Sequence, residues 1–196
     1  MALTTNKFIV PNGAPSGGNQ AMQSSLYGPD DVARVAGRGW ANYVDSTYTD
    51  VFPLELRAGN SYTANVEIDG TTSTIATHWP AGVDEPWDTT TNKLIGTNDG
   101  DMFDFRLRMV ALGGASPVQL TVEIDIGGAQ GVIFSKTENI AKGASTETHV
   151  TISSDYYTGS TFISNGGTIT VSTADGSDDI DLWGFQLLVF RKFVAP

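Results

Sequence analysis

The sequence predicts an all-β protein, and three observations agree on this. Hydrophobic residues make up 40% of the 196 residues, charged residues only 17%, and there are 22 glycines, a composition that can form a core but not a coiled coil or a highly charged disordered chain. From about Val51 onward, apolar and polar residues alternate with a period of two, as in half-buried strands. Gly- and Asp-rich turns recur about every ten residues, which favours antiparallel strands in a sandwich or barrel.

The first 50 residues differ from the rest and predict an extended N-terminal arm. The stretch from Pro11 to Gln20 is rich in Pro, Gly and Asn, which break regular structure. Phe8, Ile9 and Val10 form a small apolar group before it. One short helix is predicted near residues 30–37, with Pro29-Asp30-Asp31 at its start and Gly37 at its end. Such a helix is too short to be stable alone, so we expect the arm to lie on another surface.

Residues 51–196 contain the strand patterns. Ser61 to Ile68 alternates and ends at Asp69-Gly70, a dipeptide typical of hairpin turns. Phe103 to Met109 and Val118 to Ile126 alternate without interruption. Further strands are predicted around Val132–Lys136, Glu147–Ser153, Thr161–Ser164 and Thr168–Thr173. The total of about eight to ten strands predicts a jelly-roll β-sandwich.

The last strand, Ile180 to Phe190, is apolar on both faces. Counting by two places Trp183, Phe185, Leu187 and Val189 on one face, and Ile180, Leu182, Leu188 and Phe190 on the other. A strand with one wet face alternates cleanly, so this one is expected to be covered on both sides. The cover is either a long loop of the same chain or a second subunit.

The net charge excludes several classes of partner. With 22 acidic and 11 basic residues the charge is −11, which disfavours nucleic-acid binding and docking on anionic membranes. The chain has no cysteine, so disulfides and thiolate metal sites are excluded. We expect no signal peptide and no transmembrane segment.

Three segments carry a resemblance to known proteins. The run from Trp40 to Thr49, followed by Phe52 to Gly59, resembles a segment of virion structural proteins of tailed bacteriophages. Pro86 to Ile95, followed by Asn98 to Asp101, is similar to a second segment of those proteins. The closing stretch from Asp178 to Phe193 resembles the last strand of tumour-necrosis-factor-like jelly rolls, which assemble as trimers around aromatic faces.

The resemblance implies a non-enzymatic protein of the virion, on the capsid surface, assembled in the host cytoplasm. It implies a homotrimeric capsid decoration (cement) protein without cofactors, whose N-terminal arm and domain base bind the major capsid protein; the alternative is a receptor-binding fibre or spike head. The implied subunit interface is Trp183, Phe185, Leu187, Val189 and Phe190. The implied capsid-binding residues of the arm are Phe8, Ile9, Val10, Leu26, Tyr27, Val32 and Val35.

Three segments are weighed for ligand binding. Trp79, Asp84 and Trp87 lie in a Pro- and Gly-containing loop that could stack a sugar ring, or the two tryptophans could cap the sandwich. Four Asp residues between Asp175 and Asp181, and the pair Asp99 and Asp101, could supply oxygen ligands to Ca²⁺, although solvated turns are the ordinary role of such sequences. His78 and His149 are isolated in the sequence and predict no metal site.

Overall fold

The computed structural model describes residues 38–57, 63–71, 78–80, 83–114, 116–143, 146–173 and 179–193. The arm residues up to Val35 and the helix predicted near residues 30–37 lie outside this part of the chain. Within it, no helix is long and apolar enough to cross a lipid bilayer. The helix α1 is Ser160–Asn165, and the strands are β1 (Gly39–Val44), β2 (Leu54–Leu56), β3 (Thr63–Asn65), β4 (Gly70–Thr71), β5 (Trp87–Asp88), β6 (Lys93–Leu94), β7 (Met102–Gly113), β8 (Val118–Asp125), β9 (Val132–Ile140), β10 (Glu147–Tyr157), β11 (Gly167–Thr173) and β12 (Ile180–Phe193).

The strands form two antiparallel sheets. Sheet A has the order β10-β7-β12-β1-β4, with β2 also paired to β12, and sheet B has the order β5-β6-β11-β8-β9, with β3 also paired to β11. From β7 onward the chain changes sheet between β7 and β8, β9 and β10, β10 and β11, and β11 and β12. These crossovers make the sandwich a jelly roll and confirm the predicted fold class. The described residues contain twelve strands, which is more than the eight to ten predicted. Five of the twelve are only two or three residues long.

The core lies between the sheets and follows the predicted alternation. Phe103, Phe105, Leu107 and Met109 of β7 are all buried against sheet B. At one end the core is an aromatic column, in which Trp79, Phe103, Tyr156 and Phe162 stack in that order with ring centroids 6.3, 5.2 and 5.1 Å apart. Burying each such side chain stabilises the fold by about 1.5–3 kcal/mol.

The sandwich begins earlier than residue 51. Strand β1 pairs with β12 from Gly39↔Arg191 to Val44↔Gln186, so residues 39–44 belong to sheet A although the sequence assigned them to the arm. Ala41 and Tyr43 are fully buried, while Trp40 and Val44 face outward. A strand that is apolar on both faces has no period-two signal, which is why β1 was not recognised. The division into an arm and a jelly-roll domain stays a prediction.

The hairpin turn predicted at Asp69-Gly70 is wrong. Gly70 is part of β4 and pairs with Val44, and a Cβ on Gly70 would lie 2.5 Å from the Val44 carbonyl oxygen. The carboxylate of Asp69 accepts hydrogen bonds from the backbone N–H and hydroxyl of Ser46, at 2.8 and 2.7 Å, and these bonds lower the pKa of Asp69. Asp and Gly therefore serve a long-range contact with the segment after β1 rather than a local turn.

The strand predicted at Thr161–Ser164 is also wrong, because these residues form α1. Phe162 is the one buried residue of this helix and stacks on Tyr156. Gly166, with φ of +69°, ends the helix, and its N–H donates to the Phe162 carbonyl oxygen. The β-branched residues Thr161 and Ile163 favoured a strand in the sequence, but a single buried ring in a short segment fits one helical turn as well.

Candidate functional site

The outer face of sheet A, which points away from sheet B, is the candidate interaction surface. Its central strand is β12, flanked by β7 and β1, and the pairing aligns their outward side chains in rows. From one end of the face to the other the rows are Asp104–Phe190–Trp40, Arg106–Leu188–Asn42, Arg108–Gln186–Val44 and Val110–Trp183.

A bulge at Gly184 decides which residues of β12 lie on this face. The register with β7 shifts between Trp183 and Gln186, and Gly184 has φ of +62°, a conformation that favours glycine. Trp183 and Phe185 therefore do not share a face, although they are two residues apart.

The predicted subunit interface is corrected accordingly. Phe185, Leu187 and Val189 have no exposed surface and face sheet B, so they cannot contact another subunit. Trp183 and Phe190 lie on the outer face and are partly exposed, and their part in an interface stays a prediction. Counting by two through the extra residue of a bulge produced the error.

The residues around Trp183 and Phe190 form an apolar strip. All members are partly exposed, and the polar pair within it is satisfied, because the Gln186 Nε2 donates to the Asn42 Oδ1 at 3.0 Å. A largely apolar surface of this kind, with one satisfied polar pair within it, is typical of an interaction site. The apolar strip consists of Trp183, Leu188 and Phe190 on β12, Trp40 and Val44 on β1, and Val110 and Leu112 on β7.

A groove of about 730 Å³ lies at the Phe190 end of the strip. The rings of Trp40 and His78 stack there with centroids 4.3 Å apart, and the Arg106 guanidinium lies 5.3 Å from the centre of the Phe190 ring. Gly39 makes room for this wall of the groove, since a Cβ at this position would lie 2.5 Å from the His78 carbonyl oxygen. The close approach lets the segment His78–Pro80 pack directly on β1.

Basic side chains gather beside the strip, on a chain whose net charge is −11. Arg38 and Lys192 line the groove, and Arg106 and Arg108 line the adjoining surface. The Lys192 Nζ lies 2.6 Å from the Asp155 Oδ1 and 3.3 Å from the Asp104 Oδ2, and its hydrogen bond with Asp155 is the main cause of its raised pKa. Within the described residues no ion pair to a carboxylate is found for Arg38 or Arg108. This end of the face is therefore locally positive.

A buried ion pair lies beneath the groove. The Arg191 Nε and Nη2 both donate to the Asp101 Oδ2, the former at 3.1 Å, and the two side chains are 1% and 0% exposed. Asp101 is one of the carboxylates that the sequence offered to Ca²⁺. Its Oδ2 is instead bound to a guanidinium, so this carboxylate serves the structure of the fold.

The other acidic residues in the described part of the chain are not grouped into a cation site. Asp181 pairs with Arg57 at 2.9 Å, and Arg57 also pairs with Glu55 at 3.0 Å; burial is the main cause of the raised pKa of Asp181. In the described part of the chain, no three His, Cys, Asp or Glu side chains are grouped as a metal site would need. Asp175 and Asp178 lie outside that part.

The predicted glycan contact is not supported by the positions of its tryptophans. Trp79 is 6% exposed and its Nε1 donates to the Asp84 carbonyl oxygen at 2.9 Å, while Trp87 is 1% exposed and donates to the Ile68 carbonyl oxygen at 3.1 Å. Neither ring offers a face to a sugar, and both cap the core, as the alternative interpretation had it. The Asp84 side chain is exposed.

The capsid-binding residues predicted for the arm, Phe8, Ile9, Val10, Leu26, Tyr27, Val32 and Val35, lie outside the described residues. On the outer face, sequence reasoning missed Trp40, Val44, Val110 and Leu112. The isolated Gly184 within an apolar strand was the available signal, because a glycine there often marks a bulge.

Comparisons with known proteins add a likeness of shape only. No protein-family model matches the chain, and no curated protein matches it in sequence. The globular domain of the zebrafish complement 1qA protein has a TM-score of 0.48 and 9% identity, over 81% of this chain and 99% of its own. Eiger TNF from S. frugiperda has a TM-score of 0.45 and 10% identity, over 82% and 96%.

The PRD1 vertex protein P5 has a TM-score of 0.37 and 10% identity, over 78% of this chain and 96% of its own. All three scores are below 0.5, so no assembly, ligand or role follows from these similarities. The jelly-roll assignment rests on the strand order described above.

Proposed function

We propose that this protein is a non-enzymatic structural protein of a tailed-phage virion, a homotrimer that decorates the capsid. The observation that carries the proposal is the apolar strip on the outer face of sheet A. The segments from Trp40 to Gly59 and from Pro86 to Asp101, which resemble phage virion proteins, support the virion assignment.

The strip supports self-association because it combines an apolar centre with a charged border. Aromatic residues with arginine beside them are typical of the centre of protein interfaces. Copies with a charge of −11 repel one another at long range, and the basic residues Arg38, Arg106, Arg108 and Lys192 provide opposite charge next to the strip. A contact there would bury the strip and bring Arg38 and Arg108 close to acidic side chains of a neighbour.

Light scattering at micromolar concentration tests the trimer. We expect a mass of about 62 kDa, three times the 20.8 kDa of the chain. Leu188→Glu, in the middle of the strip, should give a monomer with an unchanged circular dichroism spectrum, because a carboxylate would have to be buried at an apolar contact. Ser153→Glu is the matched control, since Ser153 occupies the same row two strands away on β10. A wild-type chain that stays monomeric contradicts the proposal.

Binding to the capsid is the second part of the proposal. We expect the predicted arm to hold the protein on the major capsid protein, with avidity from three arms in one trimer. Deleting residues 1–38 should abolish occupancy on purified particles. Unchanged occupancy after this deletion would remove the arm from the proposal.

Copy number separates decoration from the alternative, a receptor-binding fibre or spike head. Mass spectrometry of purified particles should find hundreds of copies for a decoration protein and few for a fibre. The alternative keeps one favourable observation, which is the exposed His78 stacked on Trp40 in the groove. A glycan array on the wild-type protein and on His78→Ala tests it.

A further inference from the structure

A second surface, distinct from the apolar strip, lies at the open edge of the sandwich. An apolar cleft of about 290 Å³ runs between the edge strand of each sheet, β9 and β10. Its lining includes the buried rings of Phe105, Tyr156 and Phe162 and the partly exposed ring of Phe134. The cleft therefore gives access to one end of the aromatic core.

Exposed apolar side chains concentrate around this cleft. Seven large apolar residues are exposed in the described chain, and five of them line the cleft or adjoin its lining in sequence or strand register. Tyr157 is 72% exposed and Ile133 is 41% exposed. An exposed apolar group beside a cleft marks an interaction site. The five are Met102, Val132, Ile133, Tyr157 and Ile163.

The edge strands explain why the cleft stays open. Within the described residues β9 pairs only with β8, and β10 pairs only with β7. The register of β8 with β9 skips Ile133, since Asp125 pairs with Val132 and Ile124 with Phe134. This bulge turns Ile133 to the surface at the rim of the cleft. An open edge of this kind is a place where another segment of chain can bind.

We propose that Phe8, Ile9 and Val10 of the same chain occupy this cleft. The described chain starts at Arg38, next to β1. Trp40 of β1 lies in one row with Phe190, Asp104 and Asp155, and Asp155 lines the cleft. The chain thus enters the sandwich at the same end as the cleft, three strand spacings or about 14 Å away.

The length of the intervening chain suits this arrangement. Twenty-eight residue steps separate Val10 from Arg38, and a chain of that length can span up to about 90–100 Å, so Val10 can reach the cleft. The apolar group is therefore present at the cleft at a high effective concentration without any association between chains. The small apolar group is joined to the domain by a long stretch of chain that begins with a Pro- and Gly-rich sequence.

The contact would cover the open edge of the free protein. It would also hold the predicted arm on its own domain until a capsid surface competes for it. These contacts lie within one chain, so they can be tested separately from the trimer, which is measured by mass.

A disulfide trap in the full-length chain tests the contact, because the sequence has no cysteine of its own. The variant Val10→Cys/Ile133→Cys keeps Phe8 as the anchor and places the second thiol at the rim. The control Val10→Cys/Val51→Cys uses the same thiol in the arm. Val51 is 70% exposed and lies in the loop whose Tyr48 carbonyl accepts a hydrogen bond from Gly184, at the opposite end of sheet A.

We expect the first variant to form an intramolecular disulfide at least about tenfold faster than the control under mild oxidant at low micromolar concentration. Peptide mapping of the oxidised protein identifies the bond. Adding Phe8→Asp should reduce the rate to that of the control, since a carboxylate does not enter an apolar cleft. Equal rates for both pairs, no effect of Phe8→Asp, or bonds mainly between chains would each overturn the proposal; the last would assign the cleft to a second copy.

Discussion

Replacing Asp101 with Asn should lower the free energy of unfolding more than replacing an exposed residue nearby. Asn has the shape of Asp but no charge, so the change removes the carboxylate that pairs with the buried Arg191 guanidinium. The Arg191 side chain is 1% exposed and cannot reach water without rearrangement. The perturbation is therefore electrostatic and not one of packing.

The magnitude follows from the burial. Removing one partner of a buried pair costs about 3–5 kcal/mol, and we expect a value near the lower end because the Asn oxygen still accepts a hydrogen bond. For a domain of this size 1 kcal/mol changes the melting temperature by about 2–4 °C, so Asp101→Asn should lower it by about 6–12 °C. Asp101→Asn/Arg191→Met should recover most of the loss, since no buried charge remains.

The assay is urea unfolding followed by tryptophan fluorescence, with calorimetry for the melting temperature. Lys192→Met is the matched control, because Lys192 is the next residue and pairs with Asp155 at 2.6 Å while 43% exposed. An exposed pair contributes little to stability, because water screens the two charges. A loss below about 1 kcal/mol for Asp101→Asn, or a double variant no more stable than the single one, would refute the reasoning.

Two further predictions concern the backbone and the core. Gly184→Ala should lower the free energy of unfolding by about 1 kcal/mol in denaturant, because φ is +62° and the new Cβ would have no atom closer than the Val110 Cγ2 at 3.9 Å. Gly39→Ala should cost more, because its Cβ would lie 2.5 Å from the His78 carbonyl oxygen. The reverse order of the two losses would contradict the assignment of the bulge. Tyr156→Phe should leave the free energy of unfolding unchanged or raise it, because the buried hydroxyl has no hydrogen-bond partner among the described residues; a loss above about 1 kcal/mol in the same assay would reveal a partner for that hydroxyl.

The strands that could be predicted from the sequence are those with one face exposed to water. β7 and β8 alternate because their outward residues, such as Arg106 and Glu123, remain at the surface, and these strands were found within a few residues of their ends. β1 has apolar residues on both faces and was not found. An alternation of apolar and polar residues indicates that one face of a strand contacts water. Where both faces are covered, the alternation is absent and cannot reveal the strand.

The candidate site could be predicted only as a strand. The closing segment was recognised as apolar on both faces, but the faces were exchanged at Gly184, because a bulge moves every following side chain to the other side. The neighbours that complete the strip, Trp40 on β1 and Val110 on β7, come together through pairings between distant segments. The glycan-binding hypothesis failed for a related reason, since the burial of Trp79 depends on its stacking with Phe103.

The position of β12 has a consequence for how the protein folds. This strand follows the eleven others in the sequence, yet it lies in the middle of sheet A and pairs with β1, β2 and β7. Sheet A therefore cannot close until residues 180–193 have left the ribosome, and until then β1 and β7 each have one unpaired edge. Pairings between segments so far apart in sequence are slow to form. Partly made chains consequently expose two aromatic edges, and we expect nascent chains that stop before Ile180 to depend on chaperones, whereas the finished chain does not.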